Sequence, residues 1–489
     1  MTDQNVSTQP GAELAPDHRG RNRLVINLML VATFVVILNE TIIGVVIPKL
    51  MVALEIQEST AQWLSTAFML TVAVVIPTTG FLMQRLSTRT VFILAMSLFT
   101  AGTAIAAIAP GFEVLLAGRI VQAAGTAIMM PLLMTTVMTL VPPHERGKTM
   151  GNISIVMSVA PAIGPAVGGF IVQNLEWRFI FILVLPIAIA ALVLGAARVQ
   201  NVTEPRKLPL DGLSVVLSAF AFGGLVFGLS SLGEAVSGRE LMAPWIPLSV
   251  GGVALAVFIL RQLQLQRGER AFLDLRTFRS RGFSLSVVVM VIMMGSLFGT
   301  IIILPIYTQQ VLGLEPLYSG LMLVPGSLMM GLAGPLIGRL YDRVGPRPLI
   351  VPGAIAVSGV LWAMTLYGES TPWGLVLALH MLLSVGLAFM FTPLFTTSLG
   401  SLEPDLYSHG SAINGTTQQL AGAAGTAMFI ALLTIGKVDA VAAGAGDVTA
   451  LATGIHTAFL AGAIISLFAV VAAWFVPKPE SEFGPQPGH

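Results

Sequence analysis

Four stretches of this chain set polar side chains inside apolar runs, where they can do chemistry. In LNETIIGVVIP at 38–48, Glu40 is a carboxylate well inside a hydrophobic segment. Burial favours the neutral acid and a nearby arginine favours the carboxylate, so a group held between the two can load and release a proton near neutral pH. The alternative is an acid neutralised in a structural hydrogen bond. In LLAGRIVQAAGTA at 115–127, Arg119 and Gln122 share an apolar background. A guanidinium stays charged and must be paired or hydrated: either it serves a functional site or it snorkels to an interface about two turns away. Asn414, Thr416, Thr417, Gln418 and Gln419 enter a further apolar run, with Gln418 one turn beyond Asn414 on the same face. Such amides line a path or simply bond neighbouring helices. His380, inside another run, reads as structural or as a proton relay.

The elements that must hold these groups are membrane helices. Of 489 residues, 55% are hydrophobic and 10% charged, with a mean hydropathy of +0.87; a soluble chain carries about 25% charged residues. The apolar residues gather into runs long enough to cross a hydrocarbon layer of about 30 Å. The runs predict fourteen spans, near 24–48, 60–83, 89–110, 113–141, 147–173, 177–197, 209–231, 244–264, 281–306, 317–340, 347–367, 372–395, 409–436 and 452–476. Of the 25 Lys and Arg, only Lys49, Arg178, Arg239 and Lys437 fall in alternate loops and Arg119 in a span. That bias predicts a multi-pass protein of the cell membrane with both termini cytoplasmic. The polar first 20 residues lack the apolar core of a signal peptide, so the first span is expected to direct insertion.

A net charge of +1 with basic residues set by topology excludes a nucleic-acid stripe. With no cysteine, and with His18, His144, His380, His409, His456 and His489 scattered, neither a metal site nor a cofactor is expected. The string GxxxxGK[ST] is absent, so no ATP machinery is visible. A membrane enzyme or sensor would show clustered His, Asp or Ser at an interface, or a sizeable soluble domain, and neither is visible.

Two blocks match in register, GFLMQRLSTR at 80–89 and GRLYDRVGPR at 338–347, each ending an apolar run. Their separation exceeds what six spans need, so something has been inserted between related halves. The predicted organisation is a tail at 1–23, a six-helix bundle at 24–197, an inserted two-helix hairpin with its linkers at 198–280, a second six-helix bundle at 281–476 and a tail at 477–489. Paired halves enclose a path between them, with the substrate site near mid-bilayer. The stretch RQLQLQRGERAFLDLRTFRSR at 261–281 reads either as an interfacial helix or as a solvated basic linker. Both tails read as disordered by composition.

In the fifth span, SVAPAIGPAVGGFIV at 158–172 spaces Gly164, Pro165, Gly168 and Gly169 so that one face has no side chains and one backbone hydrogen bond is lost. The string GPxxGG resembles the antiporter motif of the drug exporters in the major facilitator superfamily. RxxQxxG at Arg119 resembles the fourth-helix motif of the same superfamily, whose arginine is implicated in proton coupling. The repeat blocks resemble its loop motif GxLaDrxGrr, in which the aspartate helps hold the cytoplasmic face closed against a helix N-terminus of the other half. Here Gly338, Asp342, Arg343, Gly345 and Arg347 keep that pattern, whereas the first copy keeps Gly80 and Arg85 but has Gln84 for the aspartate and Ser87 for the later glycine. The gate is therefore expected to rely more on Asp342.

Further matches are QWLSTAF at 62–68, with Phe68 where tyrosine is frequent, WRFIFILVLPI at 177–187, PLDGLSVVL at 209–217, FLDLRTFRSRGF at 272–283, LPIYTQQVLG at 304–313 and HGSAINGTTQQLAGAAGTA at 409–427. Together they resemble the fourteen-helix drug:proton antiporters. LNETIIGVVIP is similar to that family's LDxTIVNVALP, but Asn39 stands at the acid position and Glu40 follows it. The resemblance implies an all-α membrane fold of two pseudo-symmetric six-helix bundles plus two inserted helices. It also implies proton-coupled efflux of lipophilic, often cationic, drugs. Glu40 and Arg119 would couple protons, and Asn39, Gln62, Trp63, Gln122, Tyr307, Asn414 and Gln418 would line the substrate path. Small lipophilic molecules, protons and membrane lipids are the expected partners, and one chain holds a complete path, so a monomer is expected. A dedicated exporter of a metabolite, lipid or antibiotic, or a proton-coupled importer, would use the same frame.

Overall fold

The computed structural model describes residues 18–201, 205–206, 209, 211–236, 242–268 and 270–479. The expectations for 1–17 and 480–489, and for Lys207 and Arg239, lie outside these residues.

Among the described residues, fourteen helices are long and apolar enough to cross a membrane. They are α1 (His18–Leu54), α2 (Glu58–Arg85), α3 (Thr88–Ala107), α4 (Phe112–Leu140), α5 (Arg146–Asn174), α6 (Phe179–Arg198), α7 (Gly212–Leu232), α8 (Trp245–Leu265), α9 (Arg281–Gln310), α10 (Leu323–Val344), α11 (Arg347–Met364), α12 (Trp373–Gly400), α13 (Tyr407–Ala442) and α14 (Asp447–Phe475). In hydrocarbon every backbone group must find its partner within its own segment, which is why the apolar runs become helices. Their ends follow local chemistry. Ser87 and Ser280 cap α3 and α9 by accepting from Thr90 N and Phe283 N. Gly345, at φ 80°, stops α10 in a conformation that disfavours a side chain.

Helices α1 to α6 form one bundle and α9 to α14 another, and the packing repeats. The pairs α1–α5, α2–α4, α3–α4 and α3–α6 recur as α9–α13, α10–α12, α11–α12 and α11–α14. Two seams join the bundles, α5 against α10 and α2 against α13, which the repeat makes equivalent. Large apolar side chains such as Phe170, Leu260 and Phe468 stand exposed on the outside, as a lipid-facing surface requires.

The inserted pair is not a free linker. Helix α7 lies across the second seam, with Val226 between Ala73 of α2 and Ala423 of α13 and Phe227 stacked on Trp63 at 6.2 Å. A π turn at Ala219–Gly223 brings Gly223 to the Val74 side chain. The stretch after α8 forms neither an interfacial helix nor a solvated linker. It folds back, with Phe272 and Leu273 buried and both of their N–H groups donating to Gln262 Oε1 at 2.8 and 3.2 Å. Its apolar residues alternate with basic ones because they plug the packing beneath the hairpin, where Phe272 meets Phe81 and Phe258.

Candidate transport site and gate

The predicted polar centre assembles around Arg119. Its side chain is 1% exposed, and Nη1 donates to Gln122 Oε1 at 2.6 Å and to Asn39 Oδ1 at 3.4 Å. Gln122 Nε2 donates onward to Thr103 Oγ1 at 2.8 Å, and Thr103 to the Phe99 carbonyl at 2.7 Å. The guanidinium lies over the Phe68 ring at 4.1 Å, a cation held on a π face in a desolvated place. Arg119 does not snorkel. Phe68 and Thr103 were not singled out as site residues by type or spacing. The one clue was that Phe68 occupies a position where related sequences often carry another aromatic residue.

This cluster is incompletely satisfied. Arg119 Nε and Asn39 Nδ2 are buried without a hydrogen-bond partner, and the acceptors around the cation are neutral amides. Glu40 is the charge that acts on Arg119. It is half-buried and makes no hydrogen bond or ion pair among the described residues. One residue is about 100° of rotation, so Asn39 takes the guanidinium's hydrogen bond and Glu40 acts on it through charge alone.

Helix α5 seats the turn that carries these two residues. A side chain at Gly164 would overlap Thr41, and one at Gly168 would meet Ile42 Cγ2 at 2.8 Å. The bare face expected from the glycine spacing is therefore the surface on which α1 rests directly after Asn39 and Glu40. Gly169 is less constrained, its nearest neighbour being Val45 Cγ1 at 4.0 Å, and Pro165 stays within the helix.

At the end of the molecule that carries Arg85, Arg146, Lys148, Arg343 and Arg347, the basic end, the bundles are closed. Asp342 of α10 accepts from Gly147 N at 2.7 Å and Lys148 N at 2.8 Å. Those are two of the unsatisfied donors in the first turn of α5, where a negative charge is favoured. Gly147 and Gly151 pack on Gly338 and Gly334 so closely that either helix bearing a Cβ there would strike the other's backbone. The second seam is weaker. Gln84 Nε2 donates to the Asp405 carbonyl at 3.3 Å, and a Cβ on Gly80 would meet His409 Nδ1 at 3.1 Å. Arg206, from the segment before the hairpin, pairs with Asp405 at 2.8 Å and bonds the Gln84 carbonyl. Ser154 with Thr392 at 2.6 Å, and Ser411 with the Pro131 carbonyl at 3.0 Å, add to the same closed half. Among the described residues, every hydrogen bond from one bundle to the other lies in this half.

The other expected residues are dispersed. Gln122 and Asn39 join Arg119, but Trp63 packs on the hairpin and Gln62 is half-buried beside it. Tyr307 belongs to an aromatic stack within the second bundle, 4.9 Å from Tyr367, with its hydroxyl donating to the Gly368 carbonyl at 2.7 Å. Asn414 donates to Ser398 Oγ at 2.8 Å, joining α13 to α12, and Gln418 donates to the Asn414 carbonyl at 3.2 Å. Arg85 and Arg343 are exposed, so the closed contact is made by Asp342 and the glycines.

Two repeat-related bundles, a charged cluster buried in one of them and a closed end define a multi-span transporter. The chain belongs to the Major Facilitator Superfamily, whose family model matches residues 29–426. It is 38% identical to the MFS-type transporter YcnB of Bacillus subtilis, covering 95% of this chain and 97% of that one. It is likewise 38% identical to the lincomycin resistance protein LmrB of Listeria monocytogenes, covering 93% and 96%. Among solved structures it resembles the proton:xylose symporter XylE, with a TM-score of 0.63 at 15% identity over 94% of this chain and 97% of that one. The protein is thus a membrane transporter and not an enzyme.

Proposed function

We propose that this protein exports lipophilic, often cationic, drugs across the cell membrane by alternating access, in exchange for protons. The basic end and both termini lie in the cytoplasm, and one chain forms the whole pathway. The observation that carries the drug-export reading is the similarity, over nearly the whole chain, to a lincomycin resistance protein.

The proton reading rests on the cluster. Arg119 is held by amides, which leaves Glu40 without a hydrogen-bonded partner and free to exchange a proton with the open side. With the Asp342 contact made, the path is shut to the cytoplasm and Glu40 loads a proton from outside. Breaking that contact lets the bundles rock, and proton release inward accompanies substrate capture. Binding is loose and apolar, the kind of site that accepts many shapes.

The test is ethidium and lincomycin efflux from energised cells expressing the protein, with and without a protonophore, in the wild type and in Glu40→Gln. Efflux that collapses under both treatments supports the reading. Efflux indifferent to the protonophore overturns proton coupling, and no efflux of either probe overturns drug export.

A further inference from the structure

We infer that His380 is a second proton-binding group of the transport cycle, the counterpart in the second bundle of Arg119 in the first. The inference rests on the proton-coupled reading above. The equivalence is one of place along equivalent helices; the register of the two blocks themselves sets Arg119 opposite Leu377, about one turn before His380. Arg119 lies seven residues after Phe112, the first of α4, and His380 seven residues after Trp373, the first of α12. Their covers correspond as well. Phe68, over which Arg119 lies, stands twelve residues before Gly80, and Gly326 stands twelve before Gly338. A Cβ on Gly326 would meet His380 Cδ2 and Nε2 at 2.8 Å. In one half an aromatic ring faces a cation; in the other, a missing side chain makes room for an imidazole.

His380 is 4% exposed, and neither ring nitrogen has a hydrogen-bond partner. A neutral imidazole carries one donor and one acceptor, and burying both unmade carries their full desolvation cost. A leucine or methionine would fill the slot without that cost. From α10 it meets the Gly326 backbone, and the Leu323 carbonyl bears on the ring without completing a hydrogen bond of good distance and angle. On its own helix, the Ser384 hydroxyl is already given to the His380 carbonyl at 2.9 Å. Among the described residues, no acid or base of α5, α9, α10, α11 or α13 acts on it. Its depth is that of Arg119, about 10 Å from the end of the bundle opposite the gate. It therefore lies in the half where, among the described residues, no hydrogen bond joins the bundles. An unpaired imidazolium is disfavoured in this buried state, so the proton belongs to another state of the cycle.

The experiment counts protons released per ethidium bound by the purified full-length protein in weak buffer, using a pH-sensitive dye. His380→Asn is expected to release about half as many as the wild type, with its ethidium affinity less dependent on pH and unchanged at pH 9. If H380N releases as many as the wild type while E40Q releases fewer, His380 holds no proton and the inference falls, leaving proton coupling intact. If the wild type releases none and efflux ignores a protonophore, proton coupling itself has failed. Gly326→Ala keeps the ring and crowds it, and serves if H380N does not fold. It should move the pH midpoint of ethidium affinity without changing the proton count, and an unmoved midpoint counts against the inference.

Discussion

Arg119 gives Nη1 to Asn39 Oδ1 at 3.4 Å, while Glu40, the next residue, makes no hydrogen bond. An amide thus holds the cation where related exporters place their acid, and the acid is left free one step round the helix. Asn39→Asp in the E40Q background should therefore restore part of the protonophore-sensitive ethidium efflux that E40Q loses. Initial efflux rates decide this. A double variant as inactive as E40Q would mean that the position beside Arg119 cannot carry the proton.

Phe68 shares in holding the guanidinium, and a desolvated cation–π contact contributes about 2 kcal/mol. Phe68→Ala should lower efflux at least about tenfold on that figure, and Phe68→Tyr should keep most of it. Arg119→Lys should not rescue function, because one ammonium cannot reach both amides while lying flat on the ring. Equal rates for F68A and F68Y would remove the ring from the mechanism.

The two seams differ in strength at the basic end. Asp342 makes two charge-assisted bonds to backbone N–H groups, whereas Gln84 makes one neutral bond at 3.3 Å. Asp342→Asn should destabilise the closed state by about 1.5–3 kcal/mol, and Gln84→Ala by about 1 kcal/mol or less. The chain has no cysteine, so a single Cys at Ser158, buried against Gly331, reports opening. Maleimide labelling from the basic end should rise at least about tenfold in D342N, since 1.4 kcal/mol is a factor of ten, and about fivefold or less in Q84A.

Gly164 and Gly169 are five residues apart and should behave oppositely. Gly164→Ala drives a methyl into Thr41, overpacking that costs about 1–3 kcal/mol and displaces the turn bearing Glu40. Gly169→Ala meets only Val45, at 4.0 Å. Loss of efflux in G164A, partial recovery in G164A/T41G and near-normal efflux in G169A are expected. Equal losses in both single variants would contradict the packing account.

Asp211, just before α7, binds Arg261, in the last turns of α8, through both oxygens at 2.7 Å, and this contact holds its carboxyl down to about 2. A depressed carboxyl stabilises the fold above its unfolded value of about 4, and the stabilisation is lost as pH falls from there towards 2. Asp211→Asn should lower the melting temperature at pH 7 by a few degrees at most, since the pair is partly exposed. It should also flatten the acid-side fall in melting followed by tryptophan fluorescence. An unchanged acid limb would mean that the pair does not anchor the hairpin.

The span count, the repeat and the Asp342 contact with a helix start in the other half were legible in the sequence. The first follows from length and the second from register, while the third came only with the family resemblance of the repeat blocks. Which way the helices face was not. A soluble helix shows its buried side as an apolar stripe, but here the lipid side is as apolar as the interior. Thus Trp63 and Tyr307 read as path residues although one stacks on the hairpin and the other inside the second bundle. Gln262 gave no signal at all, because its worth lies in two N–H groups ten and eleven residues further along.

Helix α7 makes the two seams unequal neighbours of the bilayer. The α5–α10 seam has no such cover among the described residues, and its helices carry exposed Ile163, Leu332 and Leu336; the α2–α13 seam is roofed by protein. A solute arriving sideways from the lipid meets only the first. Widening the second must slide Val226 over Ala73 and Ala423, whose single methyl groups leave little to snag. The roof can therefore stay in place while the joint beneath it moves, keeping lipid out of that side through the stroke.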